Sequence, residues 1–153
     1  MKIIFPPHNK KSDTVRSWSE IKNDAKKMTE MIRGDEFGNR LWKQAFAISH
    51  TQVSQTPKRF FVINRTIPRL RDGFRWDVII NPTITKKEFL VSSKEGCMSN
   101  PYKGVQKITR SKFIEVKYQT KFLFGILRWR FDKLSELDAF IFQHEIDHMN
   151  GIY

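Results

Sequence analysis

Gln143-His144-Glu145-Ile146-Asp147-His148 is the stretch on which the reading of this chain turns. On a helix, residues four apart lie about 40° from each other around the axis, so the His144 and His148 imidazoles share one face and can converge on one metal ion. Glu145 follows His144 directly, where its carboxylate can reach a water on that metal and take its proton. The neighbouring sequence supports the helix. Leu137, Phe140, Ile141 and His144 keep helical spacing to about Met149. Ser135 stands where a side-chain oxygen can cap the first turn, with Asp138 in a capping-box-like position.

A catalytic metal site of this kind takes three protein ligands and keeps a further position open, and the helix supplies only two. Cys97, within Glu95-Gly96-Cys97-Met98-Ser99 just after a predicted strand, is the conspicuous third candidate. A lone cysteine is most often a small buried hydrophobe. Here Gly96 relaxes the backbone beside it, and a thiolate would complete a Cys-His-His set. One thiolate with two imidazoles suits Fe(II), Zn(II), Co(II) or Ni(II), and spacing does not choose among them.

Upstream, the chain reads as strands and one helix. Phe60 to Asn64 and Trp76 to Pro82 are short β-prone runs, bracketing an Arg-rich loop that turns near Asp72-Gly73. Phe113, Glu115, Lys117 and Gln119 alternate with Ile114, Val116 and Tyr118, and a second run from Phe122 to Phe131 follows at once, as in a hairpin. Near the N-terminus, Trp18, Ile21, Ala25, Met28 and Ile32 recur at three- and four-residue spacing. They predict an amphipathic helix of roughly 18–22 residues, capped by Ser12 or Asp13 and ended by Gly34. The expectation is one α+β domain over residues 1–153. Mixed or antiparallel sheets would surround the C-terminal metal-binding helix, with the amphipathic helix at the N-terminus.

Composition narrows the class. A length of 153 residues suits one domain, and 39% apolar residues with 13 Phe and 4 Trp exclude low-hydrophobicity disorder. A single cysteine leaves no disulfide partner and fits a reducing compartment. No run of about 18 apolar residues offers a membrane span, and Ile3 to Phe5 is too short for the apolar part of a signal peptide. A cytoplasmic protein is expected. The 28 Lys+Arg against 16 Asp+Glu give a net charge of +12. That field can draw the chain to RNA, ribosomes or other anionic surfaces, or simply keep it solvated.

Two of these motifs carry a resemblance. Glu95-Gly96-Cys97-Met98-Ser99 resembles the Glu-Gly-Cys-Leu-Ser motif of peptide deformylases, and Gln143 to Gly151 resembles that family's Gln-His-Glu-x-Asp-His-Leu-x-Gly helix. Their pairing in this order is highly specific. Ile80-Asn81-Pro82 sits where the family has a similar strand end. The family's third motif, a Gly-rich strand leading to Ala-Ala-x-Gln, is matched at Gln52 alone. Ala45 and Ala47 stand for its glycines, and Ser49 and His50 for its alanines.

The resemblance implies a metal-dependent hydrolase that removes the formyl group from N-formylmethionyl nascent peptides. Cys97, His144 and His148 would ligate one divalent metal ion, Fe(II) natively, with Zn(II), Ni(II) or Co(II) as alternatives. Metal-activated water would attack the formyl carbon. Glu145 would serve as general acid and base, and Gln52 with the backbone N–H of Met98 would hold the oxyanion. The backbone near Ala47, Glu95 and Gly96 would pair with the peptide, and the methionine side chain would sit among Phe46, Leu137, Phe140 and Ile141. Core packing is an equally good reading of Leu137 and Ile141. His50 has no assigned role: a core histidine, a partner to a site residue and a surface residue all fit. The chain ends soon after the metal helix, which resembles compact bacteriophage-encoded deformylases. The expected place of action is the bacterial cytoplasm, or that of the host, with ribosome association through the basic surface.

Two other readings compete. A zinc endopeptidase would keep the His-Glu-x-x-His helix but needs a downstream His or Glu, and the five residues after His148 include no His, Glu, Asp or Cys. A basic RNA- or ribosome-binding domain with a vestigial metal site is the other. The intact set Gln52, Cys97, His144, Glu145 and His148 argues against decay.

Overall fold

The computed structural model describes residues 1–4, 9–33, 46–64, 76–97 and 99–153. Its elements are α1 (Lys22–Arg33), β1 (Ala47–Ser49), β2 (Phe60–Asn64), β3 (Trp76–Glu95), β4 (Gln106–Lys121), β5 (Leu127–Ser135) and α2 (Glu136–Met149). The five strands form one sheet in the order β1-β2-β3-β4-β5, every neighbouring pair antiparallel. The α+β expectation with a C-terminal helix holds.

Strand β2 shows why two helices are needed. Successive side chains point to opposite faces, and Phe60, Phe61, Val62 and Ile63 are all fully buried. Phe61 and Ile63 join Ile79, Val116, Tyr118, Phe142 and Met149 under α2. Phe60 and Val62 join Ile21, Ala25, Met28, Ile32 and Ile80 under α1. Each such side chain contributes roughly 1.5–3 kcal/mol by leaving water, so the sheet is clamped between the helices along its β1–β2 side.

The N-terminal helix is shorter than its periodicity predicts. A 3-10 turn spans Trp18–Glu20 and α1 runs for 12 residues from Lys22. Ser12 and Asp13 do not cap it, because their groups are engaged elsewhere. Ser12 N–H and Oγ both donate to the Met149 carbonyl, while Asp13 N–H donates to Pro57 and its carbonyl accepts from Arg59. The expected stop at Gly34 and the turn at Asp72-Gly73 lie outside the described residues.

Strand β3 runs on past Pro82, where the sequence predicts an end. The ladder shifts register between Ile80 and Thr83, which absorbs the missing proline N–H in an irregularity. Asn81 adopts φ 50°, a region Asn tolerates better than most residues. Its amide accepts from Val15 N–H at 2.9 Å and donates to Val15 O and Gln119 Oε1, tying the N-terminal segment to the sheet. The hairpin is present, but β5 begins at Leu127. Residues 122–126 are spent on the turn, with Phe124 and Gly125 at positive φ. Helix α2 keeps its expected bounds, although Ser135, at the N-cap position, makes no side-chain capping bond.

Candidate metal centre and active site

Three segments meet at α2. Its inner face packs on β4, and Gln143 fixes the register: Nε2 donates to Ser111 O at 2.8 Å while Oε1 accepts from Ser111 N–H at 3.0 Å. The next residue, His144, and His148 one turn beyond it project beside the end of β3, where Cys97 follows Glu95 by two residues. The Cys97 Sγ lies 3.3 Å from His148 Nε2, the two histidine Nε2 atoms are 3.0 Å apart, and all three donor atoms lie within 4.8 Å of one another.

The outer nitrogens set the tautomers. His144 Nδ1 is 2.9 Å from Glu95 Oε2, and His148 Nδ1 is 3.1 Å from the Ile152 carbonyl. Each partner is an acceptor, so each Nδ1 carries its proton and each Nε2 presents a lone pair. Two lone pairs and a sulfur facing one another at this range repel unless something positive lies between them. Without a metal, a proton fills that role. Burial works against charge on His144, but Cys97 and Glu95 beside it raise its pKa to about 10. Burial and the neighbouring His144 push His148 down to about 3. The separations approach the roughly 3.3–3.6 Å edges that tetrahedral Zn–N and Zn–S bond lengths give. The residues fit a divalent metal.

An ion-pair chain supports these candidate ligands from behind. Burial alone would raise Glu95, but its hydrogen bonds with His144 and Arg110 hold it at about 2. Arg110 Nε and Nη2 each donate to Glu95 at 2.9 Å, and Nη1 donates to Asp147. This two-pronged contact fixes the plane of Glu95 and so the orientation of His144. Sequence reasoning missed Arg110. Tyr153 was missed as well; its ring stacks on His148 at 4.4 Å between centroids.

Glu145 is buried, and among the described residues its Oε2 has no hydrogen-bond partner. Burial raises its pKa to about 7, against the pull of His144 and of hydrogen bonds from Ser49. Gln52 lies in a 3-10 turn directly after β1. Its Oε1 accepts from Ser49 N–H at 2.8 Å and Nε2 donates to Ser99 Oγ at 2.7 Å. The amide is therefore oriented by β1 and by the residue two positions beyond Cys97.

Among the described residues, the remaining sequence-predicted ones lie outside the cavity beside these side chains. A cavity of about 170 Å³ is bordered by Glu95, Cys97, Arg110, His144, Asp147, His148 and Tyr153, among others, but by none of Phe46, Ala47, Leu137, Phe140 and Ile141. Ala47 and Ile141 belong to the core beneath α2. Phe46 and Leu137 are exposed, Phe140 is half-buried, and Gly96 is exposed beside Cys97. Met98 lies outside the described residues. His50 is a buried core histidine: Nδ1 accepts from Lys58 N–H at 2.9 Å and Nε2 lies 3.2 Å from Asp24.

A Cys-His-His donor set beside a buried carboxylate on a His-Glu-x-x-His helix has the layout of a metallohydrolase centre. The polypeptide deformylase family profile matches residues 6–153, and the chain belongs to that family. Peptide deformylase of Thermus thermophilus is 41% identical over 75 residues, 49% of this chain and 37% of that protein. The chain thus aligns with well under two-thirds of the length of the first curated relatives. Peptide deformylase of Buchnera aphidicola subsp. Acyrthosiphon pisum is 32% identical over 152 residues, 99% of this chain and 79% of that protein. The crystal structure of a probable peptide deformylase from synechococcus phage S-SSM7 superposes with a TM-score of 0.74 at 30% identity, over 94% of this chain and 88% of that one.

Proposed function

We propose that this chain is a metal-dependent deformylase acting on N-formylmethionyl nascent peptides. The observation that carries the reading is the pair of histidine Nε2 atoms 3.0 Å apart with Cys97 Sγ 3.3 Å from one of them, and, on the same helix, the buried Glu145 Oε2, unpartnered among the described residues. Cys97, His144 and His148 would hold one divalent ion, Fe(II) natively or Zn(II), Ni(II) or Co(II). When bound, such an ion polarises a carbonyl and makes water acidic near neutrality.

The chain's own groups do the rest. Glu145 takes the proton from the water that attacks the formyl carbon and gives it to the methionyl nitrogen as the C–N bond breaks. Formate and a free amine leave. One N–H of Gln52 Nε2 is committed to Ser99. The other, with the Met98 backbone N–H, donates to the oxyanion, and a donor so placed contributes about 3–4 kcal/mol to lowering the barrier. The backbone near Ala47, Glu95 and Gly96 pairs with the peptide, while Phe46, Leu137, Phe140 and Ile141 flank the methionine side chain. The chain works as one domain in the cytoplasm of a bacterium, or of the host of a phage that encodes it, and its basic surface brings it to ribosomes.

The test is formate release from formyl-Met-Ala-Ser by Fe(II)-loaded protein, beside an unformylated peptide assayed for cleavage. Formate should appear, the unformylated peptide should stay intact, and Glu145→Ala should lose at least about 100-fold in turnover while retaining metal. Full activity of Glu145→Ala, or cleavage of the unformylated peptide, would contradict the reading.

A further inference from the structure

The face of the sheet that α1 covers over β1 and β2 continues across β4 and β5, where no helix or strand among the described residues packs on it. Leu127 still packs against the core under α1. Two and four residues further along the same face of β5, Trp129 and Phe131 are 47% and 70% exposed. They lie opposite Gln119 and Lys117 of β4. Phe113 continues the row on β4, and the exposed Phe89 of β3 meets it edge-on at 5.9 Å. The opposite face of the same strands is the core beneath α2, so this row is not part of the metal site.

Lysines are threaded among the rings. Lys117 Nζ sits 4.4 Å from the Trp129 ring and 5.6 Å from that of Phe131, and Lys121 Nζ lies 5.5 Å from Trp18 at the α1 end. Among the described residues of these strands, the two acids on this face are already matched, Glu115 to Lys133 at 3.3 Å and Glu88 to Lys86 at 3.1 Å. Among the described residues, Lys117 and Lys121 have no carboxylate partner.

We propose that the outer face of β3–β4–β5 binds single-stranded RNA, with bases stacking on Trp129 and Phe131 and phosphates meeting Lys117 and Lys121. Exposed rings on a sheet offer stacking platforms to unpaired bases, which a duplex keeps covered. Residues two apart on a strand set those platforms about 6.8 Å apart. A second copy of the chain fits less well. Edge-to-edge pairing of β5 would bring its exposed Arg128 and Arg130 against the same residues of the other copy, and each molecule carries +12. The commitment to RNA rests on the proposed function, because RNA is the single-stranded polyanion where nascent chains are made.

The test uses the full chain and a fluorescein-labelled 12-nucleotide oligouridylate, read by anisotropy across a salt series. Trp129→Ala and Phe131→Ala should each weaken binding about 5- to 100-fold, with melting temperature and formate release unchanged. Lys117→Gln should make the log–log salt slope shallower by about 0.7, the value for one phosphate contact on a single strand. Wild-type affinity in both ring variants would overturn the proposal, as would equally tight binding of an RNA duplex of the same length. So would a concentration-dependent dimer that Trp129→Ala dissolves, which would assign the face to a second copy. Formate release and RNA binding are read separately on the same protein, so failure of one does not implicate the other.

Discussion

At the scale of single residues, the site depends on which nitrogen of each histidine keeps its proton. His144 and His148 were legible because the helical repeat fixes where residues four apart point, whatever the tertiary structure does. Arg110 was not legible. It is one of 28 basic residues, and its role arises only when β3 and β4 pair and bring it to Glu95, 15 positions away. The held-down pKa of Glu95 has a consequence for stability. A carboxylate at about 2 in the folded state, against an ordinary 4.5, stabilises the fold above that ordinary value and loses the contribution as pH falls toward about 2. Glu95→Gln should therefore melt well below wild type at pH 6, with the gap closing as pH drops from about 4.5 to 2. A gap that stays constant over that range would show that the ion pairs with Arg110 and His144 contribute little.

At the scale of elements, local pattern located each core face, and long-range bonds set the ends. Ile21, Ala25, Met28 and Ile32 are buried as their spacing predicts. The residues before them are drawn into hydrogen bonds with 57–59 and with α2, which no local pattern reveals. Likewise, proline at position 82 reads as a stop, yet a register shift beside Asn81 lets β3 run through to Glu95 and deliver Cys97 to the site. Gly151 is needed for a similar long-range reason: φ is 79°, and a β-carbon there would meet the Asn9 carbonyl oxygen at 2.5 Å. Helix α2 is seated chiefly by Phe142, fully buried and edge-on to Phe61 at 5.0 Å and Tyr118 at 5.9 Å. Phe142→Ala should cost about 3–5 kcal/mol, seen as a lower urea midpoint at unchanged slope. A change below about 1 kcal/mol would mean that α2 is held by its polar contacts instead.

At the scale of the whole molecule, β2 lies between α1 and α2 and contributes alternate residues to both cores. The two cores share a strand, so neither is expected to unfold alone. Near- and far-ultraviolet circular dichroism should trace one superimposable thermal transition, whereas two separated transitions would divide the chain into independent units. Charge pattern at this scale was only half legible. The excess of basic residues is plain from composition, but the row of rings and lysines on β4 and β5 becomes visible only through the strand register.

We propose that one divalent ion at Cys97, His144 and His148 makes this chain a deformylase. This is tested most directly by titrating metal-free protein anaerobically with Fe(II), measuring bound iron and formate release from formyl-Met-Ala-Ser on the same samples. Activity should rise in proportion to bound iron and saturate at one ion per chain, with Cys97→Ala failing to reach that occupancy. Formate release by the metal-free protein at the rate of the loaded one, or full occupancy in Cys97→Ala, would contradict it.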